Sequence, residues 1–130
     1  MVSVRVRTRS NVRRVKRKAH QGSIKSLGHA GGAIRLAAIR SIRKAPGPSP
    51  SGQPPHTHTR RLPRAIKYAV EKSKQTVVIG PDVVSFGTAG RAHEHGGRYK
   101  QEYYPRRPFM RPALEKVKKR LPMFWTGSVR

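Results

Sequence analysis

Residues 91–97 read Arg91-Ala92-His93-Glu94-His95-Gly96-Gly97, and residues 104–114 read Tyr104-Pro105-Arg106-Arg107-Pro108-Phe109-Met110-Arg111-Pro112-Ala113-Leu114. The rest of the chain is organised around the segment that contains both, residues 91–114. Its three prolines each hold φ near about −65° and remove a backbone donor. Each also biases the preceding residue towards extended geometry. A stiff segment that carries an aromatic side chain into a helix suits docking on a neighbouring surface better than a catalytic loop that must move.

The order of these motifs resembles the tail-completion proteins of tailed bacteriophages. The matching patterns are His-Glu-x-Gly-Gly from residue 93 and Tyr-Pro-x-Arg-Pro-Phe-Met-x-Pro-Ala-Leu from residue 104. The likeness reaches back through Val77-Val78-Ile79-Gly80-Pro81 to Pro54-Pro55-His56-Thr57-His58-Thr59. It therefore covers roughly the C-terminal two thirds of the chain. It departs at Arg60, where the family usually has glycine, so a different local turn is expected there.

The resemblance implies a structural virion protein at the head–tail junction, assembled in the host cytoplasm. It implies a closed ring of this chain, commonly of six copies, which surrounds the passage of the genomic double-stranded DNA. The neighbours would be a head connector protein on the portal side and a tail tube or tail terminator protein on the other side. No enzyme, cofactor or membrane belongs to this expectation.

A subunit or partner interface is predicted from the same stretch, with Arg107 and the ring of Phe109 as its anchors. Glu94 is one of five acids in a strongly basic chain. It is expected either to pair with Arg106, Arg107 or an arginine of a neighbour, or to remain a solvated carboxylate. The predicted interface residues are His93, Glu94, Tyr104, Pro105, Arg107, Pro108, Phe109 and Met110.

Composition limits the class of protein. The chain has 130 residues, which suits one domain, and its formal net charge of +25 favours contact with polyanions. It lacks cysteine, which excludes disulfides and thiolate metal sites. No apolar run approaches the roughly 20 residues that span a bilayer, and no apolar signal core follows the basic N-terminus.

The N-terminal region carries much of the charge. Residues 1–44 hold thirteen of the thirty Lys and Arg residues and none of the acids. Residues 2–9 alternate apolar with polar or basic side chains, which predicts a strand. The basic arm is either solvated, or it contacts nucleic acid or an acidic surface. The predicted contact residues are Arg5, Arg7, Arg9, Arg13, Arg14, Lys16, Arg17 and Lys18.

A helix is predicted over residues 24–44, where apolar residues recur at steps of three and four. The members of this stripe are Ile24, Leu27, Gly31, Ile34, Ala38 and Ile42. A continuous helix from residue 11 would exceed the diameter of a compact domain of this size, about 36 Å. The helix is therefore expected to break near its glycines or to project, unless the glycines allow close backbone approach to another element.

The remainder predicts a single α+β domain. Residues 1–23 form the basic arm or strand, 24–44 the helix and 45–63 a proline-rich loop, with the sheet and a C-terminal helix in 64–130. Alternation from Ile66 to Val70 and β-branched residues at 76–79 predict an antiparallel meander, which the strand 83–86 extends. Met110, Leu114, Val117 and Leu121 form the apolar stripe of the last helix, which is expected to end at Pro122. Phe124 and Trp125 then pack back on the sheet or insert into a partner.

Other functions have weaker signals. The chain lacks a Gly-x-Ser-x-Gly motif, a Walker loop and a cysteine nucleophile, so we expect no catalytic residues. His56-x-His58 and His93-Glu94-His95 could supply nitrogen and oxygen ligands for zinc, but their spacing is nonspecific and no metal site is predicted. The main alternative to a virion protein is a ribosomal or other basic RNA-binding protein, although no RRM-type aromatic signature is present.

Overall fold

The computed structural model describes residues 11–127 and Ser3, and for Ser85 and Phe86 it describes the backbone alone. Its elements are, in order, α1 (Val12–Ser41), α2 (Arg61–Ala65), β1 (Ile66–Glu71), β2 (Thr76–Pro81), α3 (Val83–Phe86), α4 (Ala89–His95), β3 (Gly97–Tyr99), β4 (Glu102–Tyr104), α5 (Met110–Val117) and a 3₁₀ helix (Lys118–Trp125). The predicted α+β class is confirmed. The strand predicted over residues 2–9 lies outside the described residues except for Ser3.

Helix α1 is continuous over 30 residues, which is about 45 Å at 1.5 Å per residue. The prediction that its stable part begins near residue 24 is therefore wrong. Gly31 shows why glycine does not break it. A Cβ atom at this position would lie 2.8 Å from the ring of Tyr68 and from Val77, so glycine allows the helix to approach the hairpin closely. The N-terminal turns project, and every residue from 12 to 18 is exposed.

Strands β1 and β2 form the predicted antiparallel hairpin. Tyr68 pairs with Ile79 and Val70 pairs with Val77, and this face of the hairpin packs against α1. Val78 belongs to the opposite face because side chains alternate along a strand, and it is 58% exposed. Strands β3 and β4 form a second, separate hairpin.

The prediction that residues 83–86 pair with β2 is wrong. These residues form α3, a single helical turn that Asp82 caps. The Asp82 side chain accepts a hydrogen bond from the backbone N–H of Val84 at 3.1 Å, which satisfies a donor that the turn leaves unpaired. This local cap outweighs the β propensity of two adjacent valines.

The core lies between α1, the start of β1 and α5. Of the predicted stripe on α1, Ile34, Ala38 and Ile42 are buried. On α5, Ala113 and Val117 are buried, whereas Leu114 is 40% exposed. The full cluster of buried residues is Ile34, Ala38, Ile42, Leu62, Ile66, Phe109, Ala113 and Val117.

The proline-rich loop is tied to the body of the protein. The N–H of Gly52 donates to the carbonyl of Arg106 at 2.8 Å, and the N–H of Thr57 donates to that of Arg43 at 2.9 Å. The loop ends at residue 60, earlier than predicted, because α2 begins at Arg61. Arg60 has φ 58° and ψ 18°, the left-handed conformation that favours glycine. Arg60 therefore adopts the left-handed backbone conformation that a glycine would adopt without strain at this position.

The C-terminal helix changes type before its proline. The α-helical part ends at Val117, and the chain continues as a 3₁₀ helix that contains Pro122. A proline ring clashes with the carbonyl four residues earlier in an α-helix, which accounts for the change at Lys118. Phe124 packs back, but on α1 instead of the sheet. Its carbonyl accepts a hydrogen bond from the Ser26 hydroxyl at 2.7 Å, and its ring stacks on His29.

Candidate functional site

Glu94 caps helix α5 from a distance in sequence. One carboxylate oxygen accepts hydrogen bonds from the N–H groups of Phe109 and Met110 at 2.8 and 2.9 Å, and the other accepts from that of Arg111 at 2.9 Å. These amides at the start of the helix have no intrahelical partner, and the carboxylate also matches the positive end of the helix dipole. The predicted pair of Glu94 with Arg106 or Arg107 and the solvated carboxylate are therefore wrong, and a pair with an arginine of a neighbour stays a prediction.

Arg107 connects three segments of the chain. Its backbone N–H donates to the carbonyl of His93 at 2.6 Å, and its side-chain Nε donates to the carbonyl of Ser49 at 2.7 Å. The proline-rich loop, α4 and the segment before α5 are thus joined at one residue. Pro105 and Pro108, which flank this region, are half-buried. In the described chain, the proline-flanked segment around Arg107 is used for contacts within the fold.

Phe109 does not provide an external anchor. Its side chain is 0% exposed and lies in the central cluster, and Met110 beside it is half-buried. The prediction that the Phe109 ring contacts a neighbouring subunit is therefore wrong. Glu94 accepts from the backbone N–H of Phe109 and so holds the backbone from which this ring enters the core.

His93 lies where α4 meets the segment before α5, since its carbonyl accepts from the Arg107 N–H. Its ring meets that of Tyr104 edge-on, with centroids 6.4 Å apart, and its Nδ1 atom is buried without a hydrogen-bond partner among the described residues. Burial lowers the pKa of His93, and the nearby Arg107 guanidinium lowers it further. The Tyr104 hydroxyl donates to Glu102 at 2.9 Å, and this hydrogen bond is the main cause of the raised pKa of Tyr104.

The predicted interface residues do come together, but around α4 and the start of α5 inside one chain. The histidines considered as zinc ligands do not form a joint site. They are His56, His58, His93 and His95. Within the part of the chain that the structure describes, no three His, Cys, Asp or Glu side chains converge into a possible metal site. No helix among the described residues is long and apolar enough to cross a membrane.

An exposed apolar corner replaces Phe109 as the candidate contact surface. Val84 is 96% exposed and Val83 is 64% exposed, both on the capped turn α3. An open groove of about 370 Å³ begins beside them, lined by Ile79, Pro81, Val83 and Met110 among others. A second groove of about 480 Å³ shares Ile79 and Met110 and continues to Leu114. We name Val83 and Val84 the apolar corner. The sequence signal that could have located the apolar corner is Asp82 before Val83 and Val84, because an aspartate at this position can cap a helical turn.

The second candidate surface is cationic. The five predicted contact residues of α1 that the structure describes are all exposed: Arg13, Arg14, Lys16, Arg17 and Lys18. The predicted contacts Arg5, Arg7 and Arg9 lie outside the described residues. We name residues 12–25 of α1 the cationic arm.

Comparisons of the chain with protein-family models, with curated proteins and with solved structures find no match. Function is therefore inferred from the two surfaces and from the order of the sequence motifs.

Proposed function

We propose that this chain is a structural virion protein of a tailed phage, a tail-completion or neck protein that forms a ring between the head connector and the tail. The motif resemblance supplies the family. The observation that supports the proposal is the apolar corner, where the adjacent Val83 and Val84 are 64% and 96% exposed, so that only a second surface can bury them.

The apolar corner and the adjoining grooves differ in shape, so a contact between them joins unlike surfaces of two copies. Such head-to-tail contacts generate a closed ring when the rotation closes. Two hydrogen bonds anchor the turn that carries the corner: the Asp82 carboxylate accepts from the Val84 N–H, and the Asp82 N–H donates to the carbonyl of Ala65 at 2.8 Å. An anchored apolar corner beside an apolar groove on a +25 chain favours specific assembly over nonspecific aggregation.

The residues of the resemblance also form one structural unit. Glu94 of the first motif holds the start of α5 in the second motif, and Arg107 holds the proline-rich loop that precedes the sheet. The order of the motifs along the chain is thus accounted for by contacts within one fold. The motifs that carry the resemblance are thus linked by direct contacts in this chain.

The exposed cationic arm fits the alternative, a ribosomal or other basic RNA-binding protein, equally well. Purification in low salt without nuclease, followed by negative-stain imaging and assay of copurifying nucleic acid, separates the two functions. The neck proposal predicts rotationally symmetric rings that join purified heads to tails. Monomers that retain RNA and show no rings would support the RNA-binding alternative.

A further inference from the structure

The cations of the cationic arm surround most of the helix. At about 100° per residue, the arm's basic side chains spread over about 200° of its circumference. These residues are Arg13, Arg14, Lys16, Arg17, Lys18 and Lys25, and all are exposed. The opposite sector holds the smaller stripe of Val12, Val15 and Ala19, which lies in line with the buried Ser26 and Ala30 further along the helix. The arm therefore presents charge in several directions at once.

No acidic residue lies near the arm in sequence, because the first one in the chain is Glu71. Four of the five carboxylates that the structure describes have partners away from the arm, and one of these, Glu102, accepts from the Tyr104 hydroxyl. Glu71 pairs with Lys74 at 3.5 Å, Asp82 pairs with Lys67 at 2.9 Å, and Glu94 caps α5. Within residues 11–127, the ion pairs between side chains do not reach α1. The charge of the arm is left for an external partner.

The density of charge on the arm matches that of duplex DNA. Residues 13–18 contain five cations in six positions, or one positive charge per about 1.8 Å of helix axis at 1.5 Å rise. Duplex DNA carries one negative charge per about 1.7 Å of its axis. The centres of protein–protein interfaces are depleted of charged residues, so an acidic protein surface is a poorer match for such a dense array.

We propose that the cationic arm binds the phosphate backbone of duplex DNA without base specificity. The inference deepens the proposed function and rests on it for the source of the duplex, the genome that passes through the ring. The helix is already formed and projects from the body, so binding does not require the arm to fold first.

The test is fluorescence anisotropy with a 30-base-pair duplex between 50 and 200 mM salt. If all five cations of residues 13–18 contact phosphates, the log–log slope is about −4.5, and affinity falls about 500-fold over that range. The triple variant Arg13→Gln, Arg14→Gln, Arg17→Gln loses about 2.7 of that slope. The matched control Lys72→Gln, Arg98→Gln, Lys100→Gln removes equal charge from exposed positions on the hairpins and keeps the slope.

Equal loss in the two variants would overturn the inference, because binding would then follow net charge alone. A polyglutamate competitor that displaces the arm more effectively than unlabelled duplex would also overturn it, in favour of an acidic protein partner. The charge-preserving variant Arg13→Lys, Arg14→Lys, Arg17→Lys keeps the slope if charge decides, and circular dichroism checks that α1 stays helical. Mass photometry of the same samples separates the two proposals. Duplex binding without rings contradicts the neck proposal alone, and rings with salt-insensitive binding contradict this inference alone.

Discussion

The carboxylate of Glu94 lies 2.8 Å from the backbone nitrogen of Phe109, and this hydrogen bond sets the direction in which the Phe109 ring points. Glu94 sits at the end of α4, and Phe109 immediately precedes α5. Because the same carboxylate also accepts from the next two amides, the first turn of α5 is held against α4. The ring of Phe109 is then enclosed among Ile34, Ile66 and Val117.

We expect Glu94→Ala to lower the free energy of unfolding by about 2 kcal/mol, since a charged acceptor is removed from three helix-start amides. Urea denaturation followed by circular dichroism measures the change. Glu115→Gln is the matched control, because Glu115 is exposed on α5 and should shift stability by less than about 0.5 kcal/mol. Equal effects of the two variants would show that Glu94 does not cap the helix.

We expect stability to fall in mild acid because of His93. The pKa of this side chain is lowered in the folded state from its ordinary value of 6.5, so the unfolded chain binds the proton more readily. The contribution of His93 is therefore complete above pH 6.5 and is lost as the pH falls below it, towards the folded pKa. Urea midpoints between pH 5 and 7.5 should show this loss.

His93→Gln should flatten that part of the pH profile, because the titrating group is gone. His58→Gln, at an exposed position in the proline-rich loop, is the control and should leave the profile unchanged. A profile that stays equally steep in the His93 variant would assign the acid sensitivity to another group.

We expect Arg60→Gly to stabilise the fold by about 0.5–1 kcal/mol, since glycine adopts a positive φ without the steric cost that a side chain incurs. The hydrogen bond from the Arg60 N–H to the Thr57 hydroxyl at 3.0 Å does not involve the replaced side chain. Arg61→Gly, one residue later and inside α2, should instead destabilise by about 1 kcal/mol. Thermal melts of both variants check the opposite signs.

We expect Val84→Glu to weaken self-association about tenfold or more, because it places a carboxylate at the centre of the apolar corner. The variant should unfold at the same urea concentration as the native chain, since Val84 is almost fully exposed. Val78→Glu makes the same chemical change on the outer face of the β1–β2 hairpin and should leave association intact. Sedimentation velocity over a concentration series provides the comparison.

Patterns of apolar residues within short stretches of sequence correctly predicted β1 and the buried face of α1. Alternation at residues 66–70 located β1, and the spacing of Ile34, Ala38 and Ile42 located the buried face of α1. The continuous, projecting helix was one of the alternatives left open. The sequence could not select it, because the role of Gly31 depends on Tyr68 and Val77, which are distant in the chain.

The candidate site was harder to predict because its contacts span the sequence. The partners of Glu94 lie 15 to 17 residues away, and the Ser49 carbonyl bonded by Arg107 lies 58 residues away. Proline stiffness correctly marked this segment as important, but stiffness alone does not indicate whether the Phe109 ring points into the core or outwards. That direction depends on Glu94, whose role no local pattern revealed.

Sedimentation velocity of the purified chain at micromolar concentration reports directly whether rings form. We expect a discrete species at a whole multiple of the 14.6 kDa chain, about 88 kDa for six copies, which Val84→Glu shifts towards the monomer. A chain that remains at 14.6 kDa at micromolar concentration, with and without duplex DNA, would contradict ring assembly.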